Sequence, residues 1–249
     1  MSELPGKIAL VTGGGGGFGR AISARLAGLG AHVAVLDRDP VSGKATVAGV
    51  VSAGGKARFH EVDLTDADAV DAVVAGIVRE HGALDIAVNN AGIGGAMAPM
   101  ADYPLEDWHR VVDVNLNSVF YCLRAQLRVM GSGGSIVNVA SIMSTVAMPT
   151  ISAYVATKHA VLGLTRSAAL EHGPRGIRVN AVGPSFSRVG FTADSLADDS
   201  QWDSLRELHP LGRTAAPEDI AGAVVQLCSG DSSFITGQLL LVDGGFTLQ

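Results

Sequence analysis

The amino-acid sequence predicts a single doubly wound α/β domain, in which seven parallel strands form one sheet and helices cover both of its faces. Two observations lead to this fold class. Short apolar runs alternate with segments of helical periodicity along the whole chain, which is the pattern of repeated βα units. The 249 residues are 47% hydrophobic and 17% charged, so the chain can bury a large core. Because no linker or internal repeat divides the sequence, we treat residues 1–249 as one domain.

The predicted strands are uninterrupted apolar runs, which fit a parallel sheet that is buried on both faces. They are predicted at residues 8–12, 32–37, 57–62, 84–88, 135–140, 177–182 and 239–242. Between them, apolar residues recur at helical spacing, and several of these segments end at glycine. The helices are predicted at residues 18–29, 41–53, 66–80, 105–130, 153–171 and 217–227.

One long stretch, residues 183–210, shows no clear periodicity and is predicted to be irregular. Irregular segments of this length in a compact domain are usually functional. The aromatic residues and leucines in this stretch make it too apolar for a simple tether. We therefore predict that residues 183–210 form a lid that covers the substrate.

The charge and the cysteines argue against several classes of protein. A formal net charge of −6 gives no electrostatic reason to bind nucleic acid or an anionic membrane. No apolar run approaches the ~20 residues that a membrane-spanning helix needs, and the N-terminus lacks the order of a signal peptide. We expect a cytoplasmic protein. Cys122 and Cys228 lie in apolar helical patterns, so we predict structural thiols, with no disulfide and no metal site.

A run of glycines follows the first predicted strand and opens the first helix. Glycine lets the backbone turn tightly and approach a pyrophosphate, and the helix N-terminus supplies free N–H groups. Glycine runs also occur as flexible loops, so the strand–turn–helix context carries the prediction. We predict that this loop binds a dinucleotide through Gly13, Gly15, Gly17, Phe18 and Gly19.

Asp37, which ends the second predicted strand, bears on the choice of dinucleotide. A carboxylate at this place accepts hydrogen bonds from the adenosine ribose and repels a 2′-phosphate. Arg38 follows it, and an arginine can bind a 2′-phosphate. Because the glycine loop itself contains no lysine or arginine, we predict NAD as the cofactor rather than NADP.

Tyr154 and Lys158 are four residues apart on a predicted helix and therefore share a face. The pKa of a free tyrosine, near ~10, is too high for easy proton exchange at neutral pH, and a nearby ammonium group lowers it. Such pairs also arise by chance on solvated helices, so this pair indicates a proton-transfer site only in combination with other motifs.

Together, the motifs resemble those of the short-chain dehydrogenases/reductases. The resemblance extends over the whole chain and rests on the order and spacing of Thr12-x-x-x-x-Gly17-x-Gly19, Asn89-Asn90-Ala91-Gly92, Asn115, Ser141 and Tyr154-x-x-x-Lys158. Within that family, residues 86–95 and 153–164 look most like bacterial NADH-dependent secondary-alcohol dehydrogenases and carbonyl reductases. The resemblance implies a Rossmann fold and hydride transfer between a nicotinamide cofactor and a carbonyl or alcohol carbon.

The resemblance also implies a role for each motif residue. Tyr154 would be the general acid/base, Lys158 would lower its pKa and hold the nicotinamide ribose, and Ser141 would hold the substrate oxygen. Asn115 would interrupt its helix and hold a water that links Lys158 to solvent. The cofactor would contact Tyr154 and Lys158 and a further set: Asp63, Leu64, Asn90, Ala91, Gly92, Pro184, Ser185 and Ser187.

One region departs from the family pattern. Members usually have Pro-Gly after the sixth strand and a threonine five residues beyond the proline, which helps to hold the nicotinamide carboxamide. Here Ser185 follows Pro184, and Val189 takes the threonine's place. Ser187 and Thr192 are the candidate replacements. For the substrate pocket, the lid and the loop before Tyr154 supply Met143, Met148, Phe186, Phe191 and Trp202.

These observations favour an NAD(H)-dependent enzyme that interconverts secondary alcohols and ketones. Two further hypotheses stay open: a related reductase of another substrate class (a 3-oxoacyl thioester, a sugar or a dihydrodiol), and a dinucleotide-binding protein without turnover. The resemblance and the apolar helices further predict a homotetramer.

Overall fold

The computed structural model describes residues 3–196 and 198–248, and these residues form one seven-stranded sheet. The strands are β1 (Ile8–Thr12), β2 (His32–Asp37), β3 (Lys56–Glu61), β4 (Ile86–Asn89), β5 (Ser135–Val139), β6 (Arg178–Pro184) and β7 (Leu239–Val242). Their order in the sheet is β3-β2-β1-β4-β5-β6-β7, and every neighbouring pair is parallel. The predicted doubly wound fold is confirmed. The strand order reverses between β1 and β4, which is where such sheets bind ligands.

The helices connect the strands and cover both faces of the sheet. They are α1 (Gly17–Gly28), α2 (Pro40–Ser52), α3 (Ala67–His81), α4 (Leu105–Val112), α5 (Ser118–Val129), α6 (Ser152–His172), α7 (Gly190–Ser195), α8 (Asp199–Glu207) and α9 (Pro217–Cys228). No helix in the described part of the chain is long and apolar enough to cross a membrane.

Strand β1 shows why the strands read as uninterrupted apolar runs. All five of its residues are buried, because both faces of the sheet are covered. Leu10 packs into the core formed with α3, α5 and α6, whereas Ala9 and Val11 pack into the core formed with α1, α2 and α9. Cys122 and Cys228 are free buried thiols, one in each core, and burial raises the pKa of each to about 12.

Two of the predicted elements need correction. The helix predicted at 105–130 is divided by a π-helical turn, Asp113–Asn117, between α4 and α5. The stretch 183–210 is not irregular, because β6 extends into it and α7 and α8 follow. The long segment without regular structure instead follows β4, at residues 90–99.

Candidate active site

A cavity of about 430 Å³ lies at the carboxyl ends of the central strands. Residues that follow β1, the end of β2 and the segments after β3 and β4 line one part of it, and residues at the ends of β5 and β6 and after them line another. The cavity therefore crosses the point at which the strand order reverses, as expected for the ligand site of an open α/β sheet.

The glycine loop is shaped by close backbone contacts. Gly13 has a φ of +59°, and a Cβ on it would lie 2.9 Å from Cα of Ala91. A Cβ on Gly19 would overlap the carbonyl oxygen of Gly13. Helix α1 then begins without a side-chain cap and without acidic residues in its first turn, so its first N–H groups remain available to an anion.

The predicted glycine residues take different positions around this loop. Gly13, Gly17 and Phe18 line the cavity, whereas Gly15 and Gly19 lie behind its wall. The amide of Gly15 donates to Oδ2 of Asp37 over 2.9 Å. Gly15 therefore shapes the site by fixing a carboxylate rather than by facing the cavity.

Both residues that bear on cofactor choice line the cavity. The carboxylate of Asp37 also accepts from the amide of Asp39 over 3.0 Å, so it is held at the end of β2. Arg38 is on the same wall, as are Asp63 and Leu64. Hydrogen bonds from Thr65 lower the pKa of Asp63.

Asn90, Ala91 and Gly92 line the cavity directly after β4. The side-chain amide of Asn90 donates to the carbonyl oxygens of Thr12, over 2.9 Å, and Gly13, over 3.0 Å. In return, Oγ1 of Thr12 accepts from the backbone amide of Asn90 over 2.9 Å. The loops that follow β1 and β4 are therefore tied together across the switch point.

Asn115 is fully buried in the π-helical turn between α4 and α5. Its Oδ1 accepts from the amide of Ile93, and its Nδ2 donates to the carbonyl oxygen of Ile93, both over 2.8 Å. The structure thus shows the interruption of the helix that the sequence predicted. The proposed role of Asn115 in a water relay stays a prediction.

Tyr154, Ser141 and Lys158 are buried together at the cavity. Nζ of Lys158 lies 5.6 Å from the centre of the Tyr154 ring. Oγ of Ser141 accepts from the amide of Met143 over 3.1 Å, and Ser141 also hydrogen-bonds the Tyr154 phenol. The three side chains therefore present a phenol, a hydroxyl and an amine to one space.

The electrostatics of this group differ from the sequence-based expectation. Burial raises the pKa of Tyr154 to about 12, although the hydrogen bond with Ser141 lowers it in part. Burial also lowers the pKa of Lys158 to about 8. Nζ of Lys158 donates to the carbonyl oxygen of Val139 over 2.9 Å, and in the described part of the chain it has no acidic partner. Desolvation of the Tyr154 phenol therefore outweighs any stabilisation of the phenolate by the Lys158 ammonium in this nucleotide-free structure.

The substrate part of the cavity is lined mainly by apolar side chains. Of the five predicted residues, four line it: Met143, Met148, Phe186 and Phe191. Trp202 does not, and this corrects the prediction. Its indole N–H donates to the carbonyl oxygen of Leu196 over 2.9 Å, while the guanidinium of Arg188 lies 4.9 Å from its ring centre. Trp202 therefore packs within residues 183–210, the predicted lid, instead of lining the cavity.

Sequence reasoning missed several lining residues: Gly94, Gly95, Met97 and Ile151. The sequence could have indicated Gly94 and Gly95, because they closely follow the motif at 89–92. A Cβ on Gly94 would lie 2.7 Å from the ring of Phe191, so this glycine allows the lid to approach the loop after β4.

The segment after β6 places the predicted replacements differently. Pro184, Ser185, Val189 and Thr192 line the cavity, whereas Ser187 does not. Ser187 is buried and forms a β-bridge with Ala215, and its hydroxyl has no hydrogen-bond partner among the described residues. Thr192 is thus better placed than Ser187 to replace the missing threonine.

A buried polar network beneath the site was also missed. The amides of Asn89 and Gln126 form two hydrogen bonds, of 3.1 and 2.7 Å. Asn89 also donates to Asn138 over 2.9 Å, and Asn138 donates to Thr165 over 2.9 Å. The network joins β4 and β5 to α5 and to α6, the helix that carries Tyr154. A buried amide group without a hydrogen-bond partner lowers the stability of the fold, so each of the four side chains fixes the orientation of the others.

Comparison with known proteins places this geometry in a family. A family model described as Enoyl-(Acyl carrier protein) reductase matches residues 14–247. A 2,5-dichloro-2,5-cyclohexadiene-1,4-diol dehydrogenase of Sphingobium indicum is 42% identical over 251 residues, with 99% of each chain covered. The chain belongs to the short-chain dehydrogenase/reductase family. A cyclohexanol dehydrogenase of Acinetobacter is 40% identical and covers 99% of this short-chain dehydrogenase/reductase and 97% of its own length.

Solved structures agree with this assignment. Levodione reductase superimposes with a TM-score of 0.95 at 31% identity, and 99% of each chain is covered. An NAD⁺-bound xylitol dehydrogenase has a TM-score of 0.92 at 35% identity, covering 97% of this chain and 99% of its own. A gluconate 5-dehydrogenase homologue from Beutenbergia cavernae with bound NADP has a TM-score of 0.92 at 38% identity, with 99% of each chain covered. This short-chain dehydrogenase/reductase is an oxidoreductase of a family in which both nucleotides occur.

Proposed function

We propose that this protein is an NAD(H)-dependent oxidoreductase that interconverts a secondary alcohol and its ketone, with Tyr154 as the general acid/base. One observation carries the proposal. The buried group of Ser141, Tyr154 and Lys158 lines the same cavity as the glycine loop and Asp37. A proton-transfer group and a dinucleotide cradle that share one cavity are what hydride transfer to a carbonyl carbon requires.

The residues present fit a nicotinamide dinucleotide. The loop at Gly13 and Gly19 has no room for a Cβ, and the uncapped start of α1 offers N–H groups to a pyrophosphate. Asp37 provides a fixed carboxylate for ribose hydroxyls, and Lys158 lies on the same cavity wall. When bound, the nicotinamide supplies the site that accepts or donates the hydride.

The chain's own residues manage the proton. Tyr154 donates the phenolic proton to the substrate oxygen in the direction of reduction and accepts it in the direction of oxidation. Ser141 holds that oxygen by a hydrogen bond, while its own Oγ is fixed by the amide of Met143. Because burial disfavours the phenolate, Tyr154 is protonated in the free enzyme and is ready to act as an acid.

The lining of the substrate part favours a neutral, mainly apolar ring. Met143, Met148, Ile151, Phe186 and Phe191 surround it. The charged side chains on the cavity wall are Asp37, Arg38, Asp63 and Lys158, and all four belong to the part assigned to the cofactor. A pocket with few polar groups suits an uncharged ligand. The cyclohexanol dehydrogenase among the relatives has a substrate of this kind in its name.

A dihydrodiol is the second candidate substrate. The relative that is 42% identical is named for a chlorinated cyclohexadiene diol, which is also a neutral six-membered ring. A second hydroxyl would need one more polar partner, and Thr192 on the cavity wall could provide it. A sugar or a 3-oxoacyl thioester finds less support, because the apolar lining offers few partners to the polar groups of such molecules.

We further propose a homotetramer. Several large apolar side chains are exposed in the single chain: Phe120, Leu170, Phe234 and Leu248. Burying exposed apolar surface drives association, and soluble enzymes mostly form closed symmetric assemblies. Light scattering should give about four times the chain mass of 25.4 kDa. A monomer at micromolar concentration would contradict this proposal.

Absorbance at the NADH band tests the function directly. The panel should contain cyclohexanol, a cyclohexadiene diol, a polyol, a carboxylated cyclohexanol and the corresponding ketones, each with NAD(H) and NADP(H). We expect the highest kcat/KM with NAD(H) and a neutral ring substrate. Preference for a polyol or a carboxylate would overturn the substrate class. NADH binding without turnover of any panel member would favour the dinucleotide-binding protein that does not catalyse a reaction.

A further inference from the structure

The segment that follows β6 contains an isolated pair of polar side chains, Ser185 and His209. Ser185 lines the cavity directly after Pro184, and its amide donates to the carbonyl oxygen of Val242 over 3.3 Å. Its Oγ lies 2.9 Å from Nε2 of His209, a residue that is only 2% exposed. His209 follows α8, so the pair joins the end of a strand to the end of the lid.

The other nitrogen of His209 defines the direction of this hydrogen bond. Nδ1 lies 2.6 Å from the carbonyl oxygen of Leu205, which can only accept. In the neutral imidazole, Nδ1 must therefore carry the proton and Nε2 must accept. In that form of the imidazole, Ser185 donates its hydroxyl proton to His209, and the cavity meets only the acceptor side of this hydroxyl.

Aromatic contacts fix the imidazole itself. The His209 ring lies 5.2 Å from the ring of Phe246 and 6.4 Å from that of Phe186. These rings come from the C-terminal segment and from the residue after Ser185. The His209 ring is thus enclosed between the segment that directly follows β6 and the C-terminal segment, while its own backbone follows α8.

The part of the lid that contains α7 and α8 is held by contacts at both of its ends. At its start, Ser187 forms a β-bridge with Ala215, and the amide of Ala215 donates to the carbonyl oxygen of Phe186 over 2.9 Å. Near its end, the Ser185–His209 hydrogen bond closes the loop. The lid between these points contributes Val189, Gly190, Phe191, Thr192 and Leu196 to the cavity wall.

We propose that Ser185 and His209 are a positioning pair whose hydrogen bond holds α8 against the end of β6 and thereby sets how tightly the site binds the nucleotide. If the bond is removed, the end of the lid loses one of its contacts, and fewer molecules have a formed cavity wall. The apparent affinity falls by that fraction. The inference rests on the proposed function only for the identity of the nucleotide.

Two substitutions of the same residue separate the two hydrogen bonds of His209. In His209→Gln, the amide reaches the position of Nε2 and can still accept from Ser185. In His209→Asn, the amide reaches only the position of Nδ1, so the bond to Leu205 is kept and the bond to Ser185 is lost. Both variants remove the same aromatic contacts, and each keeps one of the two hydrogen bonds of His209, so their comparison shows which of the two bonds NADH binding depends on.

The measurements are the NADH dissociation constant, from fluorescence titration, and hydrogen exchange of α8 without nucleotide. One net hydrogen bond corresponds to a change of roughly two- to tenfold. We expect Ser185→Ala and His209→Asn to weaken NADH binding by that factor, to speed exchange in α8, and to have no additional effect when combined. His209→Gln should stay within about twofold of the parent, and kcat should change less than KM in all variants.

Ser204→Ala is the matched control, because it removes an exposed hydroxyl of α8 that donates to the carbonyl oxygen of Ser200 within the same helix. Equal behaviour of His209→Gln and His209→Asn, or fully additive effects of Ser185→Ala and His209→Asn, would overturn the proposal. Faster exchange in α8 with unchanged NADH affinity would overturn its functional part. If the parent protein does not bind NADH, the proposed function fails, and exchange in α8 alone decides whether the pair holds the lid.

Discussion

The rings of Phe191 and Tyr154 lie 5.2 Å apart at an interplanar angle of 59°. Phe191 belongs to α7 in the lid, whereas Tyr154 is in the first turn of α6, so this contact joins the lid to the proposed acid/base. Phe191 is 38% exposed and also packs against Gly94. The ring of Phe191 therefore covers the phenol of Tyr154 and fills the space between the lid and the loop that follows β4.

Replacing Phe191 with alanine should weaken binding of a neutral ring substrate. Loss of about 1 kcal/mol of apolar contact raises KM by about fivefold. Phe191→Leu, which keeps an apolar cover, should lie between the parent and Phe191→Ala. Steady-state kinetics with cyclohexanol measure the effect. An unchanged KM in Phe191→Ala would show that substrate does not contact this ring.

Removing the Tyr154 hydroxyl should abolish turnover and leave nucleotide binding intact. Loss of a proton-transfer group typically lowers the rate ~10²–10⁴-fold. The phenyl ring of Tyr154→Phe fills the same buried space, so the fold is retained. Single-turnover kinetics and an NADH titration should be made on the same preparation. More than a tenth of the parent activity would exclude Tyr154 as the acid/base.

Lys158→Met should be inactive but more stable than the parent at neutral pH. The pKa of Lys158, about 8, lies below its ordinary value of 10.5 because the ammonium is buried. A lowered pKa contributes stability above pH 10.5 that is lost as the pH falls through 8. At pH 7 the parent therefore carries the full cost of the buried charge, which methionine removes.

The measurement is thermal unfolding of the nucleotide-free proteins between pH 7 and pH 10. We expect the melting temperature of Lys158→Met to exceed that of the parent by at least about 3 °C at pH 7, with the difference shrinking as the pH rises. A constant difference across this range would mean that Lys158 does not titrate as its burial requires.

Asp37 should make the enzyme prefer NADH, and Asp37→Asn removes its charge while keeping one of its two hydrogen bonds. The amide oxygen can still accept from the Gly15 amide, but the bond from the Asp39 amide is lost and the side chain no longer repels a 2′-phosphate. We expect the parent to use NADH at least about tenfold better than NADPH and Asp37→Asn to narrow this ratio. Equal or better use of NADPH by the parent would contradict the prediction and would indicate that Arg38 binds the 2′-phosphate. In that case, Arg38→Ala should reduce the use of NADPH.

Val189→Thr should tighten NADH binding by roughly two- to tenfold, since one net hydrogen bond is worth about 0.5–1.5 kcal/mol. Val189 lines the cavity beside Gly17, and threonine has the same shape. Thr192→Ala should weaken binding if Thr192 already fills the role. Ser187→Ala is the matched control, because Ser187 lies behind the wall. If neither Val189→Thr nor Thr192→Ala changes the dissociation constant, the lid does not reach the carboxamide.

The fold was predictable because both faces of the sheet are covered. Full burial turns each strand into a continuous apolar run, as in Ile8–Thr12, and such runs are visible without a structure. The small errors have local causes. Val62 is buried and its amide still donates to the carbonyl oxygen of Asp37 over 3.1 Å, although β3 ends at Glu61, so the apolar pattern ended β3 one residue late.

The site was predictable where a motif fixes both residue type and spacing, as for Ser141, Tyr154 and Lys158. The site was less predictable where the orientation of a side chain decides whether the residue lines the cavity. Trp202 and Phe191 are both aromatic lid residues, yet only Phe191 faces the cavity, because the indole N–H of Trp202 bonds the carbonyl oxygen of Leu196. Neither composition nor spacing contains that information. The raised pKa of Tyr154 could not be predicted from the sequence either, because the burial that causes it depends on the assembled fold.

The π-helical turn at Asp113–Asn117 fixes the phase between α4 and α5. Each residue of a helix advances the side chains by about 100°, so the additional residue in this turn rotates all of α5 relative to α4. Deleting one residue would restore a regular helix and its hydrogen bonds. It would also turn Gln126 away from Asn89 and withdraw Asn115 from Ile93. A regular helix would improve the hydrogen bonds of this segment itself, but the contacts that Gln126 and Asn115 make elsewhere require its present length. We therefore expect that neither a deletion nor an insertion is tolerated in Asp113–Asn117.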